Sequence, residues 1–410
     1  MDNRIKPTLL QPAIRQRPLM MQLGLASAAM ARPKLLSGKS FGNDFWNDEE
    51  GQSSKASMEK VIEGLRKYQM HDYQRGLQHN SIVWSDGEAR LIWLAAKTDQ
   101  RRKYSKGQIL VVPSMINGSE ILDIVPDERS LLRWLSGQGY DVFLLEWGNM
   151  REDPELCDLD QAIATKMGKL LFWLKKQKTD LPLFGLGYCM GGLLLAAAEQ
   201  LNPDVFDGLV FVATPWDFSV GGEASISAAI HRWVEDGGLV RVAHLDYMPN
   251  EWLQLIFAGV DPSMVARKFS AFADMKMNSS QARLFVAVED WINGGSDLPA
   301  GILIGAVNDW YIHNKPIKGN WEIGGQTIKA GSITKPSFVV VPSRDKIVSP
   351  TSAKSLAKQL PHATILNPDC GHISMMVGGS AKEQMWKPMP NGWVRSNRCT
   401  ATKHSSRIFE

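Results

Sequence analysis

The stretch around Cys189 limits what this chain can fold into more than any other feature of the sequence. An apolar run of strand length ends at Tyr188, and a small apolar run typical of a helix begins at Met190. The turn reads Gly187-Tyr188-Cys189-Met190-Gly191, which is the layout of a nucleophile elbow with a thiol in place of the usual hydroxyl. Flanking glycines let neighbouring backbone pass close, and a helix N-terminus favours a thiolate. The sequence therefore predicts a reactive cysteine, and the alternative is a buried cysteine in a glycine-rich turn.

Apolar runs of strand length alternate with helix-forming runs through much of the chain. The run 108–113 is short and continuously apolar, as expected for a strand that is buried on both faces of a parallel sheet. The predicted strands are residues 108–113, 141–147, 183–188, 206–215, 336–343 and 363–367, and the predicted helices are residues 129–139, 159–177, 190–201 and 352–360. A predicted hairpin over residues 81–96 precedes them. This alternation predicts an α/β chain with a doubly wound, mostly parallel sheet.

The alternation stops between residues 216 and 335, a region that is rich in Trp, Met and Phe and contains helix-forming runs. An insert at this point would cap the carboxyl edge of the strands, where open α/β sheets bind ligands. Together with the elbow, it predicts an α/β-hydrolase fold with an inserted helical cap. The predicted segments are an amphipathic, loop-rich N-terminal segment (1–80), the first part of the core (81–215), the cap (216–335), the second part of the core (336–390) and a C-terminal tail (391–410).

A cysteine nucleophile needs a general base, and the base needs a group that orients it. In the α/β-hydrolase order, an acid and then a histidine follow the nucleophile along the chain. Asp345 stands just after the strand run 336–343, and His372 just after the run 363–367. The ends of parallel strands share one edge of the sheet, so Cys189, Asp345 and His372 are predicted to form a catalytic triad. Taken alone, the aspartate also fits a turn or a helix cap, and the histidine fits a structural role.

Two backbone donors are expected to stabilise the oxyanion of an acyl-transfer reaction. The first is the N–H of Met190, the residue after the nucleophile. The second should come from the loop after the strand run 108–113, where Ile116 is the candidate and Met115 or Asn117 is the alternative. These are main-chain groups, so side-chain type does not separate the three.

The composition argues against several other classes of protein. The formal net charge is +3, which is too small to suggest a nucleic-acid binder. The four cysteines, Cys157, Cys189, Cys370 and Cys399, form no Cys-x-x-Cys pair, so neither a zinc site nor a redox motif is indicated. We predict no metal, no cofactor, no disulfide framework, and a reducing, cytoplasmic location.

Residues 18–31 are apolar and small, with basic residues before and after them. The apolar part is interrupted by Gln22 and is too short to span a bilayer, so no transmembrane segment is predicted. We predict an amphipathic segment that contacts a lipid or polymer surface, and the alternative is a cleaved signal peptide.

Five blocks of the chain together resemble the polyhydroxyalkanoate synthase family. They are Gly187–Gly192, Pro113–Asp123, Ser130–Trp147, Asp290–Pro299 and Gly371–Ile373. The resemblance implies an acyltransferase that moves 3-hydroxyacyl groups from coenzyme A, through a thioester on its cysteine, to the hydroxyl end of a growing polyester. It also implies a cytoplasmic protein in contact with polymer granules.

The resemblance implies roles for single residues. Cys189 would carry the acyl group, His372 would be its base, and Asp345 would be the partner of His372 or the activator of the incoming hydroxyl. Asn117 and Trp291 are candidates for substrate binding, with core packing as the alternative for Trp291. The implied partners are 3-hydroxyacyl-CoA, the polyester chain and a second copy of the protein in a homodimer.

Two other functions are compatible with the sequence. A Cys-dependent α/β-hydrolase, such as a thioesterase, esterase or depolymerase, would use the same triad with water as acceptor. A granule-associated or scaffold protein would use the basic, apolar N-terminal segment for attachment and would not need Cys189.

Overall fold

The computed structural model describes residues 22–27, 49–75, 81–97, 105–124, 129–177, 179–223 and 225–389. Most of the predicted surface segment 18–31, and the predicted C-terminal tail with Cys399, lie outside the described residues. None of the described helices is long and apolar enough to cross a membrane. The chain divides into two compact units, residues 1–76 with 261–294 and residues 77–260 with 295–410.

The secondary structure is mixed. The strands are β1 (Ser81–Asp86), β2 (Ala89–Leu94), β3 (Gln108–Val112), β4 (Asp141–Glu146), β5 (Leu183–Tyr188), β6 (Gly208–Val212), β7 (Tyr247–Met248), β8 (Leu298–Pro299), β9 (Trp321–Ile323), β10 (Gln326–Ile328), β11 (Ser337–Val340) and β12 (Ala363–Leu366). The helices are α1 (residues 22–27), α2 (Glu49–Met70), α3 (Leu131–Gly137), α4 (Gly168–Lys176), α5 (Met190–Leu201), α6 (Ile226–Glu235), α7 (Gly238–Leu245), α8 (Asn250–Ala258), α9 (Met264–Ala273), α10 (Ser280–Asn293), α11 (Ala300–Ala306), α12 (Lys315–Lys318), α13 (Pro350–Gln359) and α14 (Ser374–Val377). Within the described residues, three segments are π-helical, Gln161–Met167, Val307–Ile312 and Lys382–Trp386.

In its described part, the first unit is built from helices, and α2 packs along α9. Val61, Leu65 and Tyr68 of α2 have buried apolar side chains that recur at helical spacing and so form one apolar face. A Cβ on Gly64 would overlap the carbonyl oxygen of Phe269, so the two helices approach this closely only at a glycine.

The second unit is built around an eight-stranded sheet of order β1-β2-β4-β3-β5-β6-β11-β12. β2 is antiparallel to both of its neighbours, and every other pair in this sheet is parallel. Every residue of β5 and β6 is buried, which explains why those sequences are continuously apolar. The predicted doubly wound, mostly parallel sheet of an α/β-hydrolase fold is confirmed.

Between β6 and β11 the chain forms mostly helices, α6 to α12. Residues 261–294 of this stretch cluster with the first unit rather than with the sheet. The stretch also contains an antiparallel pair, β9 and β10, which turns at Gly324 and Gly325 with φ of 57° and 73°. Two consecutive residues at positive φ form the hairpin turn that glycine permits best. Sequence reasoning missed this hairpin although the Gly-Gly signal was present.

Gly191, in the first turn of α5, is expected to tolerate no side chain. A Cβ there would overlap the carbonyl oxygen of Val112 and lie 2.6 Å from that of Pro113, and backbone oxygens cannot rotate away. We expect Gly191→Ala to destabilise the second unit by about 3 kcal/mol, measured from its urea unfolding midpoint. Gly168, which begins α4, is the matched control because a Cβ there meets nothing within 4 Å. Gly168→Ala is expected to stabilise by about 0.5–1 kcal/mol, and equal midpoints for the two variants would contradict the prediction.

Candidate active site

Cys189 lies at the turn between β5 and α5 and caps the N-terminus of that helix. Its backbone has φ 55° and ψ −124°, a strained conformation for a residue with a side chain. The Cys189 N–H donates to the carbonyl oxygen of Val212, 2.8 Å away, which ties the turn to β6. A Cβ on Gly187 would lie 2.5 Å from the Cα of Gly192. The turn therefore closes this tightly only because glycines flank it, and it has the geometry of a nucleophile elbow.

Asp345 and His372 meet beyond the ends of β11 and β12. His372 Nδ1 lies 2.7 Å from Asp345 Oδ2. The other carboxylate oxygen, Oδ1, accepts hydrogen bonds from the backbone N–H groups of Ile347 at 2.8 Å and Val348 at 2.9 Å. Both side chains are buried, with Asp345 7% and His372 9% exposed. The carboxylate is held from both sides, so it fixes Nδ1 of His372 as a donor and leaves Nε2 for proton exchange.

His372 is held as an imidazolium by its neighbours. Burial alone would lower its pKa, but the negative charges of Asp345 and Cys189, and hydrogen bonds to both, raise the pKa to about 10. Tyr188 packs on the imidazole with ring centroids 5.1 Å apart, and its hydroxyl donates to the His372 carbonyl oxygen at 3.4 Å. Burial, and then the charges of Cys189 and Asp345, raise the pKa of Tyr188, which therefore stays a neutral phenol.

We expect His372 to titrate far above an ordinary histidine. Its folded-state pKa, about 10, lies above the usual 6.5, so its protonation stabilises the fold fully below pH 6.5, and this contribution is lost as pH rises through about 10. Histidine NMR with carbon-13 label measures the titration, and His372→Gln assigns the signal. Asp345→Asn should lower the pKa of His372 by about 1–3 pH units. A His372 signal that titrates near 6.5 in the wild type would contradict the prediction.

The predicted oxyanion donors differ in whether their N–H groups already donate a hydrogen bond within the protein. The Met190 N–H begins α5 and donates to no described residue. The Ile116 N–H donates to the Ser114 hydroxyl oxygen at 3.1 Å and closes a local turn. This hydrogen bond would have to break before the Ile116 N–H could donate to an oxyanion. The N–H of Met115, the neighbouring alternative, has no acceptor among the described residues. In this conformation the unoccupied amides are therefore those of Met190 and Met115.

A cavity of about 450 Å³ opens at Cys189, and Met190 and Ile116 contribute to its wall. The rest of the wall is mostly aliphatic and aromatic and comes mainly from α6, α8, α11, the π-helical segment that follows α11, and the segments that follow β6 and β11. Neither Asn117 nor Trp291 is among the described residues that line it. Trp291 lies in α10, which belongs to the first unit. An enclosure of this size and composition suits the acyl part of a substrate.

Two other cysteines, Cys157 and Cys370, and Asp369 in the loop before His372 do not line the cavity. Partial burial, and then Asp158, raise the pKa of Cys157. Burial raises the pKa of Cys370 to about 11, so that thiol stays protonated. Asp369 is exposed and pairs with an arginine and a serine of the neighbouring loop. Within the described ranges, no cluster of three metal-ligating side chains occurs.

Two tyrosines near the sulfur were not singled out by sequence reasoning. Tyr188 had a signal, because it stands inside the elbow motif directly before the nucleophile. Tyr311 lines the cavity, and burial and the charge of Cys189 raise its pKa. It lies in the insert, far from the elbow in sequence, and no local pattern marks it.

Curated proteins similar to this chain include several polymerase subunits. The chain is 25% identical over 334 residues to "Poly(3-hydroxyalkanoate) polymerase subunit PhaC" of Haloferax mediterranei, which covers 80% of this chain and 66% of that protein. It is 26% identical over 290 residues to the subunit of the same name from Allochromatium vinosum, covering 70% of this chain and 80% of that protein. It is 26% identical over 324 residues to the subunit of the same name from Thiocystis violacea, covering 78% of this chain and 88% of that protein. The chain thus spans slightly less than two thirds of the first relative and most of the other two.

No family model matches the chain. Similar solved structures include a monoacylglycerol lipase of Paleococcus ferrophilus, with 14% identity, a TM-score of 0.45, and coverage of 75% of this chain and 99% of that one. Another is an esterase of Thermogutta terrifontis, with 14% identity, a TM-score of 0.42, and coverage of 78% and 98%. The fold assignment rests on the strand order and the elbow of the chain itself.

Proposed function

We propose that this chain, a homologue of the poly(3-hydroxyalkanoate) polymerase subunits, is an acyltransferase that moves 3-hydroxyacyl groups from coenzyme A to the hydroxyl end of a polyester. The observation that carries the proposal is the juxtaposition of Cys189, at a helix N-terminus, with the His372–Asp345 pair and an apolar cavity. Cys189 is the proposed nucleophile, His372 the proposed general acid and base, and Asp345 the residue that orients His372 and balances its charge.

In the first half of the proposed reaction, the Cys189 thiolate attacks the carbonyl carbon of the acyl-CoA thioester. The tetrahedral oxyanion is stabilised by backbone donors, of which the Met190 N–H is one. The carbon–sulfur bond to coenzyme A then breaks, and the leaving sulfur takes a proton from the His372 imidazolium. This step exchanges one thioester for another, so it is close to isoenergetic.

In the second half, the neutral His372 takes the proton of the acceptor hydroxyl while that oxygen attacks the Cys189 thioester. The loss of the thiolate on acylation removes one of the two anions that raise the pKa of His372, which favours the neutral imidazole that this step requires. Collapse of the intermediate releases the ester and restores the thiolate–imidazolium pair. Sulfur suits both halves because a thiolate is a strong nucleophile and a good leaving group.

The acceptor distinguishes transfer from hydrolysis. Water in place of the polyester hydroxyl would release free hydroxy acid, as in a Cys-dependent thioesterase, esterase or depolymerase. The mostly apolar wall of the cavity supports transfer, because it disfavours water near the thioester. Location at a polymer granule, attachment through the N-terminal segment and a homodimer remain predictions from the sequence.

Mass spectrometry of the intact protein after exposure to 3-hydroxyacyl-CoA tests the proposal. We expect one hydroxyacyl adduct on the wild type, then further increments of the same mass as the chain grows. Cys189→Ser should show no turnover and no series of increments. Coenzyme A release with only free hydroxy acid would overturn polymerisation in favour of hydrolysis. No adduct and no release by the wild type would favour the scaffold alternative.

A further inference from the structure

Tyr188 is the last residue of β5, and its side chain points to the face of the sheet opposite α5. Successive side chains of a strand alternate between the two faces, and Gly187 faces α5, since a Cβ there would lie 2.5 Å from the Cα of Gly192. Tyr188 is 2% exposed and is not among the described residues that line the cavity at Cys189. An effect of Tyr188 on the reaction would therefore act through a neighbouring residue and not through contact with the acyl group.

The neighbour that Tyr188 contacts is His372. The centroids of the two rings are 5.1 Å apart, and the ring planes are tilted by 32°. Aromatic rings attract each other at this separation, and the negative face of a phenol also attracts a cation such as the imidazolium of His372. The Tyr188 hydroxyl donates to the His372 carbonyl oxygen at 3.4 Å, which is long for an O–H donor. The ring, more than the hydroxyl, therefore provides the contact.

The other restraints on His372 leave one freedom that the Tyr188 ring removes. The backbone before His372 is held without Tyr188, because the Arg344 N–H donates to the Cys370 carbonyl oxygen at 3.0 Å. The contact of 2.7 Å with Asp345 fixes the position of Nδ1 but not the tilt of the imidazole about that atom. The tilt decides where Nε2, the atom left for proton exchange, lies. The ring of Tyr188 supports one face of the imidazole and so limits the tilt.

We propose that Tyr188 is a positioning residue, whose ring holds the imidazole of His372 in the orientation in which Nε2 exchanges protons with the reacting groups. The inference rests on His372 as the general acid and base of the proposed function. It gives Tyr188 a part in both half-reactions, since the same Nε2 protonates the leaving sulfur and accepts the proton of the acceptor hydroxyl. A misplacement of about 1 Å can cost on the order of 10²-fold in rate, so loss of the ring should lower kcat.

Two substitutions at Tyr188 separate the ring from the hydroxyl, with coenzyme A release from 3-hydroxybutyryl-CoA as the assay. Tyr188→Leu removes the ring and keeps an apolar side chain, and we expect it to lower kcat about tenfold or more. KM should stay within about twofold of the wild type, because the residue does not line the cavity. Tyr188→Phe keeps the ring and should retain kcat within about threefold. A loss in Tyr188→Phe as large as in Tyr188→Leu would overturn the role of the ring.

Tyr140→Leu is the matched control for the loss of a buried aromatic side chain. Tyr140 is 4% exposed and stands directly before β4, whereas Tyr188 ends β5, and both strands run parallel to β3. Tyr140 therefore lies at the end of the sheet opposite the elbow. We expect Tyr140→Leu to lower the melting temperature, as Tyr188→Leu does, with kcat within about twofold of the wild type. Equal losses of kcat in the two leucine variants would mean a general packing effect and would overturn the inference.

A second background tests whether Tyr188 acts through His372. Residues that act as a unit have non-additive effects on rate. Tyr188→Leu should therefore slow single-turnover coenzyme A release in the wild-type background and cause no further loss in His372→Gln. An equal further loss in His372→Gln would overturn the inference and leave the proposed function in place. No coenzyme A release by the wild type would overturn the proposed function itself, and the inference with it.

Discussion

Replacement of Cys189 by serine is expected to reduce coenzyme A release by about 10³-fold or more, with the fold intact. Serine is close to cysteine in size and places a hydroxyl at the same strained turn, so the backbone contacts of the elbow remain. The hydroxyl is protonated at neutral pH, whereas the proposed reaction begins with a thiolate at this position. The imidazolium of His372, with its pKa at about 10, then lacks one of the two anions that stabilise it.

The control for this experiment is another cysteine in the same region of the fold. Cys370 is buried beside His372 in sequence, and burial keeps its thiol protonated. Cys370→Ser is expected to retain activity within a fewfold of the wild type, which separates the loss of a thiolate from the loss of any nearby sulfur. Coenzyme A release by Cys189→Ser at the rate of the wild type would contradict the role of Cys189. The measurement is a steady-state assay of free thiol, made alongside a thermal melt of each variant.

The sheet was predictable because burial on both faces leaves a local trace. The cores of β3, β5 and β6 are continuously apolar over strand length, and glycines mark the turn at the end of β5. The sequence carries no such local pattern to show which other segment a given helix packs against. Residues 261–294 have the same helical periodicity as the rest of the insert, yet they cluster with α2 and not with the sheet. That choice depends on which apolar faces meet in three dimensions, and periodicity alone does not encode it.

The candidate site also has a part that the sequence predicted and a part that it did not. Side-chain chemistry at strand ends was readable, so Cys189, Asp345 and His372 were predicted from their order and their positions after strands. Main-chain donors could not be identified from the sequence, because every residue except proline has a backbone N–H and the path of the loop decides which one is free. The Ser114 hydroxyl engages the Ile116 N–H, a contact that the residue types alone did not predict. Tyr311, which lines the same cavity as Cys189, was missed because it lies in a segment that is distant from the elbow in sequence.

Asp345→Asn is expected to reduce coenzyme A release by on the order of 10⁴-fold, as the corresponding change does in a Ser-His-Asp triad. The carboxylate accepts on both oxygens, from the N–H groups of Ile347 and Val348 on one side and from His372 Nδ1 on the other. An asparagine has a single acceptor oxygen. Two backbone donors cannot be turned away, so that oxygen should stay with Ile347 and Val348, and the NH₂ group should face His372.

The consequence of that geometry is a reversed tautomer. An NH₂ group facing Nδ1 requires Nδ1 to accept, so the single proton of the neutral imidazole moves to Nε2. Nε2 then cannot take the proton of the attacking group, and the lost negative charge also lowers the pKa of His372. The loss should appear in kcat with the fold retained, because the two backbone hydrogen bonds survive. Asp369→Asn removes the charge of an exposed aspartate in the loop that carries His372 and should leave kcat unchanged. A fall of less than about tenfold for Asp345→Asn would mean that His372 does not depend on this carboxylate for its orientation.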